Sequence, residues 1–294
     1  MRTPEWPTLG LLIATYALWA LATTWAAALW LPLGVSLAAL AIAQHSSLSH
    51  EALHGHPFAQ ARANAAVIWP ALGLCVPYLR FRDTHLAHHR DALLTDPYDD
   101  PESNYLDPVV WVRLPRIIRA ALRFNNTLAG RLIIGPVVGM TVFLRADWRA
   151  IRAGDTAIRQ AWLWHGVAAL PVLTWVWLSP MPAWAYLIAC YAAMSLLKIR
   201  TFLEHRAHER ASGRTVVIED RGPLALLFLN NNYHAVHHMH PKVAWYLLPG
   251  LYARNRAHYL ARNDGYVYRG YGQIFRAYLL RAKDSVAHPL WPRP

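Results

Sequence analysis

Two cysteines and three lysines are all that the 294 residues contain of either type. Cys75 and Cys190 both lie inside apolar runs, which leaves no disulfide framework, no CxxC zinc site and no cysteine-held iron–sulfur cluster. Acidic residues are scarce as well, 17 against 29 Lys and Arg, for a net charge of +12. There is no GxGxxG dinucleotide motif, no solenoid repeat, no low-complexity tract, no appended haem domain and no linker dividing the chain in two. Any redox chemistry performed by this chain must therefore draw its electrons from elsewhere.

Apolar residues are abundant: 55% of the chain is hydrophobic, with 14 Trp and a mean hydropathy of +0.15. The first long run, Leu9–Leu31, has 23 residues, and roughly 20 apolar residues in a helix cover the ~30 Å hydrocarbon core of a bilayer. It exceeds the length of a signal-peptide core and reads as a retained span. Pro32 and Gly34 predict a tight reversal into a second apolar helix, which continues from Leu33 through Ala43 to His50–His54 and stops at Gly55 and Pro57. The stretch Ala63–Leu79 is broken by Pro70, Gly73 and Pro77 and reads as a re-entrant or interfacial element. A 13-residue run, Leu132–Leu144, reads as interfacial or packed against the core. Ala161–Leu178 and Ala183–Leu203, joined by Ser179–Pro182, predict a helical hairpin through the membrane. The fold expected is an all-α integral membrane protein of about four transmembrane helices. A cytosolic helical cap and a Tyr-rich, basic tail from residue 246 complete it within one domain spanning 1–294 (core about 35–245).

The basic residues test that topology. One is Arg2, one is Arg62, 12 lie in 80–159 and 15 in 198–294, and none falls in the two turns expected on the far side. This asymmetry is what the positive-inside rule describes, and it assigns both termini to the cytoplasm, with nucleic-acid binding excluded as the reason for the charge. Arg in large excess over Lys, with abundant Ala, Leu and Pro, points to a GC-rich bacterial genome and hence an inner membrane.

The chain has 16 histidines. At that frequency one H-x-x-x-H is expected about once by chance, but H-x-x-H-H only about 0.05 times. The latter occurs twice, at His85-Leu86-Ala87-His88-His89 and at His234-Ala235-Val236-His237-His238. On a helix the positions i, i+3 and i+4 project from one face. With His50 and His54 these boxes supply eight imidazoles, twice what a single zinc requires. Neutral imidazole suits Zn, Cu, Fe and Ni, and two metals with four or five nitrogens each is the economical reading. His205, just past the last apolar run, is a candidate ninth ligand, and Glu204 is the carboxylate best placed to orient a ligating imidazole. His45, His56, His165, His240, His258 and His288 have no convincing spacing partner, and His208 lies one turn from His205. Asp96, Asp99, Asp100 and Glu102 read as a proline-punctuated turn. The Trp and Tyr residues read mostly as membrane-interface anchors.

The three boxes, their order and the four-helix topology resemble the membrane fatty-acid-desaturase superfamily of non-haem di-iron enzymes, from about residue 35 to 245. His205 is similar in context to the extra histidine that these enzymes place before the last box, and Asp100-Pro101-Glu102 is similar to sequences that follow the second box in bacterial members. The resemblance implies two iron ions, O2 as co-substrate, and desaturation or hydroxylation of an unactivated C–H of a lipid or fatty acyl chain. A hydroxylase or monooxygenase of an alkane, terpenoid or other small hydrophobic metabolite is the alternative. The first box is H-x-x-x-H and Thr201 stands where acyl-CoA desaturases hold a water with Asn, which argues against an acyl-CoA substrate. Electrons are expected from a separate ferredoxin- or cytochrome-type donor, and a basic cytoplasmic face would suit an acidic one.

His50-Glu51-Ala52-Leu53-His54 is also the H-E-x-x-H motif of zinc proteases, with the glutamate as general base. An intramembrane zinc metalloprotease using His50, Glu51 and His54 leaves six clustered histidines without a role. A non-enzymatic metal carrier is the third class, and its ligands should continue through the membrane.

Overall fold

The computed structural model describes residues 4–291; Arg2 and Arg293, two of the charges in the topology count, lie outside the described residues. Helix α1 (Trp6–Leu21) runs on through a π-helical stretch, Ala22–Ala26, to a last turn at Ala27–Leu29. The chain then passes through α2 (Leu31–Leu53), α3 (Ala61–Val67), α4 (Tyr78–His88), α5 (Pro108–Arg113), α6 (Arg116–Asn125), α7 (Leu128–Ile133), α8 (Gly135–Arg152), α9 (Thr156–Leu178) and α10 (Ala183–Thr201). Strand β1 (Val217–Ile218) precedes α11 (Pro223–Leu227), α12 (His234–Met239), α13 (Leu248–Arg254) and α14 (Arg256–Arg262); β2 (Val267–Tyr268) and α15 (Tyr271–Tyr278) follow. The protein is mostly helical, with β1 and β2 paired in parallel. Its contacts divide it into two compact units, one of residues up to Arg82 with Val137–Leu197, the other of Asp83–Pro136 with the chain from Lys198 onward.

Three helices in the first unit are long and apolar enough to cross a membrane: Trp6–Leu29, Leu31–Leu53 and Thr156–Leu178. The reversal between the first two differs from the sequence expectation. It falls at Trp30, whose backbone is extended, while Pro32 and Gly34 lie within the first turn of α2. Proline is tolerated there because the first N–H groups of a helix have no intrahelical partner. Gly34 serves close approach instead: a Cβ would come within 2.7 Å of the Ala27 Cα and 2.8 Å of the Ala22 carbonyl.

The interrupted stretch predicted around Ala63–Leu79 is short helix α3 followed by irregular chain. Irregular backbone among apolar elements needs partners for its carbonyls. Here they come from side chains of α9 and α10. Tyr186 OH donates to Leu72 O (2.7 Å) and receives a bond from Trp19 Nε1 (3.0 Å), while the His165 ring contacts Leu74 O at 2.9 Å. The expected Leu132–Leu144 run is split between the end of α7 and the start of α8. At the polar end of α8, buried Asp147 takes a two-pronged bond from Arg80 (2.7–3.1 Å) and one from Trp162 Nε1 (2.9 Å).

In the second unit, Val217, Tyr233, Ala235, Val236, Leu248, Tyr252 and Tyr259 form a buried cluster around α12. The chain reaches α12 through two consecutive left-handed residues, Leu229 (φ 50°) and Asn230 (φ 53°). Asn adopts this region readily but Leu does not, so the turn holds only because burial and the Ala225 carbonyl, which accepts from Asn230 N at 2.8 Å, fix it.

Candidate metal centre

The residues around β1 position two sets of histidines. Val216 N donates to Glu204 O (3.1 Å) and Val216 O accepts from Ala235 N (2.9 Å), while His205 pairs with Thr215 in an isolated antiparallel bridge. One stretch of backbone thus fixes both the exit of α10 and the first turn of α12. As the spacing predicts, α12 presents His234, His237 and His238 from a buried helix face. His85 and His88 occupy the last turn of α4, and His89 continues that turn with its N–H bonded to His85 O at 3.1 Å.

Within this unit the imidazoles sort into two groups, each drawing on both boxes. In one, ring nitrogens of His88, His205, His234 and His238 all lie within 4.8 Å of one another. His205 Nε2 stands 2.8 Å from His88 Nε2 and 3.1 Å from His234 Nε2. In the other, His89 Nε2 lies 3.0 Å from His85 Nε2 and 3.2 Å from His237 Nε2. Alternate ring directions along each box account for the split: α4 sends His88 one way and His85 and His89 the other, while α12 sends His234 and His238 one way and His237 the other. His50 and His54 belong to the first unit, where they lie one turn apart at the C-terminal end of α2 with ring centroids 4.8 Å apart. His50 is buried there beside Glu51, whose carboxylate is 3.7 Å from His50 Nδ1.

The rear nitrogens identify which tautomer points inward. His88 Nδ1 contacts Asp100 Oδ1 at 2.7 Å and His85 Nδ1 contacts Glu102 Oε1 at 3.0 Å. A carboxylate can only accept, so the proton sits on Nδ1 and the Nε2 lone pair faces the group. His234 Nδ1 donates to Asn231 Oδ1 (3.2 Å), and Asn231 Nδ2 donates to Glu204 Oε1 (3.0 Å). Glu204, expected from the sequence to orient an imidazole, therefore acts one residue removed; its own distance to His234 Nδ1 is 3.8 Å. It is paired instead with Arg200 at 3.1 Å. The Asp100–Glu102 stretch, which reads first as a turn and ranks behind Glu204, supplies the direct contacts. The DPE sequence after the second box was the available signal, and one tripeptide serves both groups because its alternate residues reach different rings.

Electrostatics mark the same spot as a place for positive charge. Burial pushes the His88 imidazolium down, but Glu102, Asp100 and Glu204 outweigh it and carry His88 up to about 9. His205 and His234 are held well below the ordinary histidine range, first by burial and then by neighbouring imidazoles. Bare lone pairs 2.8–3.2 Å apart repel, so a cation must lie between them, a proton or a metal. Two nitrogens each bound about 2.1 Å from a transition metal, at roughly right angles, stand about 3.0 Å apart. The donor set and its spacing thus fit a transition metal, and metal would displace protons on binding.

The C-terminal segment closes on the same group. Buried Lys283 donates from Nζ to the His205 carbonyl at 3.1 Å and lies 3.5 Å from Asp284. Asp284 in turn accepts from Asn126 Nδ2 (2.9 Å) and from Tyr105 OH. No sequence pattern marked Lys283. The remaining histidines lie elsewhere: His208 contacts Asp264 at 3.2 Å, His240 packs its ring on Tyr259, His56 contacts Glu5, and His45 contacts Tyr16.

Two proteins, both named beta-carotene ketolase and from two strains of Paracoccus sp., are similar to this chain. One is 29% identical over 227 residues, covering 75% of this chain and 74% of the relative. The other is 31% identical over 216 residues, covering 69% and 71%. The fatty acid desaturase family model matches residues 23–270, which includes every histidine of the three boxes. The chain therefore belongs to the fatty acid desaturase family, and it is a membrane oxidoreductase of that type.

Proposed function

We propose that this protein is a di-iron, O2-dependent oxygenase in which His88, His205, His234 and His238 hold one iron and His85, His89 and His237 contribute to the other, with His50 and His54 read as ligands from the spacing of the first box. The observation that supports it best is the pairing of the two H-x-x-H-H boxes into two Nε2-facing groups, each backed by a carboxylate from Asp100–Glu102. Two irons at such ligands would supply reductive activation of O2 and attack on an unactivated C–H. The chain's part is to keep the Nε2 lone pairs directed inward, to bury the rings from water and to position one substrate carbon. The zinc-protease reading of His50-Glu51-His54 is not favoured, since the family is one of oxidoreductases and that motif leaves the two larger clusters idle.

The substrate is lipophilic. Because both relatives carry the name beta-carotene ketolase, we read a cyclic carotenoid as the first substrate to test, with oxygen insertion favoured over desaturation. We also read α10, with Lys198 and Arg200 at its cytoplasmic end, as a fourth crossing, both termini as cytoplasmic in a bacterial inner membrane, and residues 1–294 as one functional domain. A separate acidic ferredoxin- or cytochrome-type protein would deliver electrons.

Expression in cells that accumulate beta-carotene, under 18O2, should yield a ketone or alcohol carrying the label, and His85→Ala or His237→Ala should abolish both iron loading and turnover. Retained turnover in either variant, or one zinc per purified chain with proteolysis dependent on Glu51, would overturn the reading.

A further inference from the structure

One surface of the second unit takes no part in the metal centre. Helices α5 and α6, joined at Leu114-Pro115, contain Arg113, Arg116, Arg119 and Arg123 and no acidic residue. At about 100° per residue, Arg116, Arg119 and Arg123 of α6 fall in one narrow arc, with Ile117, Ile118, Ala121 and Phe124 on the other side. A water-soluble protein would turn the apolar side inward. Here the apolar side is exposed along with the basic one: Ile117 is 76% exposed and Val112 of α5 65%, with Ile118, Phe124, Arg116 and Arg123 also exposed. Arg119 on the basic side is half-buried, and its shielded Nε has no hydrogen-bond partner among the described residues. The Arg123 guanidinium lies over the Trp111 ring, 5.4 Å from its centroid.

The pair is not a loose excursion. Asp107 caps α5 by accepting from Val109 N. At the far end of α6, Asn125 and Asn126 are buried, and Asn126 Nδ2 donates to the Asp284 carbonyl at 2.8 Å. The exposed apolar ridge is held in place at both ends, so its exposure is a property of the fold.

We propose that α5 and α6 form an interfacial element lying in the headgroup layer of an anionic phospholipid leaflet, with Ile117, Ile118, Ala121 and Phe124 dipping into the acyl boundary and Arg116, Arg119 and Arg123 pairing with phosphates. Charge and dimension select this occupant. Four cations without an acid complement an anionic leaflet. A ridge one helix wide and about 15 Å long offers far less than the ~800 Å² that each side of a stable protein–protein interface buries, whereas it suits insertion of a single amphipathic helix.

The test uses the full-length protein carrying one cysteine at a time at positions 116, 117, 119, 123 and 124, labelled with bimane, with the labelled wild type as blank for Cys75 and Cys190. Each is placed in nanodiscs of phosphatidylcholine, with or without phosphatidylglycerol and with or without brominated acyl chains. Quenching by bromolipid should be about twofold or more greater at 117 and 124 than at 116, 119 and 123, and should deepen with phosphatidylglycerol and weaken with salt. Iodide reaching 117 and 124 as freely as 116 and 123 would overturn the proposal and return the face to a soluble partner. The triple variant Arg116→Gln, Arg119→Gln, Arg123→Gln, labelled at 117, should keep its thermal midpoint in detergent and lose the response to phosphatidylglycerol; an unchanged response would overturn the anionic-lipid assignment.

Discussion

Replacing Asp100 by Asn changes one oxygen for an NH2 and almost no volume, yet the site leaves it no neutral solution. Asp100 accepts from three donors: His88 Nδ1 at 2.7 Å and Glu102 N at 2.9 Å on one oxygen, and Thr95 N at 2.8 Å on the other. Thr95 is itself left-handed (φ 70°), an unfavourable setting for a β-branched residue. An asparagine can keep only one of its two ends as acceptor. If the amide nitrogen faces Thr95, the strained turn loses its tie; if it faces His88, the imidazole must move its proton to Nε2 to receive the bond. That second outcome removes the lone pair available to the proposed metal and sets an N–H against His205 Nε2, 2.8 Å away. Loss of a buried charge-assisted hydrogen bond costs about 1.5–3 kcal/mol, which at 1.4 kcal/mol per decade corresponds to a ~10–100-fold weaker metal site. Iron content per chain, followed by elemental analysis against graded chelator, should show one of two metals becoming labile while the other stays bound. Asp100→Asn protein with wild-type affinity at both sites would refute the reasoning, as would equal loss from both without unfolding. Glu102→Gln should act on the other metal and more weakly, because Glu102 is only half-buried.

Lys283→Met should loosen the metal proposed at His205, since the amine that grips the His205 carbonyl is gone; Lys283→Arg should recover part of it, and chelator titration reads both. His208→Ala and His240→Ala should retain both metals and turnover, because neither ring joins a group; loss of one iron in either would move that residue among the ligands. Gly130→Ala should be among the most damaging small changes in the second unit, with a Cβ 1.8 Å from the Phe124 carbonyl and a cost of about 3 kcal/mol or more. A fall in the thermal midpoint in detergent would register it.

The histidine boxes were legible because helical spacing ties side-chain direction to sequence number: three imidazoles at i, i+3 and i+4 must share a face whatever surrounds them. The apolar runs were legible for a similar reason, since crossing a bilayer is a matter of length and composition, and Trp6–Leu29, Leu31–Leu53 and Thr156–Leu178 stand close to where their composition put them. Within those runs local detail was not determined by composition. Pro32 and Gly34 carry a turn signal, but the turn formed at Trp30, because Pro is as well suited to a first helical turn as to a reversal and Gly34 was needed for contact with Ala22 and Ala27.

By itself, then, the sequence determined the two three-histidine helix faces, the membrane setting and the family. Tertiary structure alone decided how those donors divide. His88 separates from His85 and His89, and His237 from His234 and His238, and Asp100, Glu102 and Asn231 stand behind the Nδ1 atoms of His88, His85 and His234. Asp100, Glu102, Asn231 and Lys283 reach the site from positions up to 183 apart in numbering. No spacing rule links such residues; only the packing of β1, α4, α12 and the C-terminal segment brings their polar atoms within hydrogen-bonding distance of the imidazoles and of the His205 backbone.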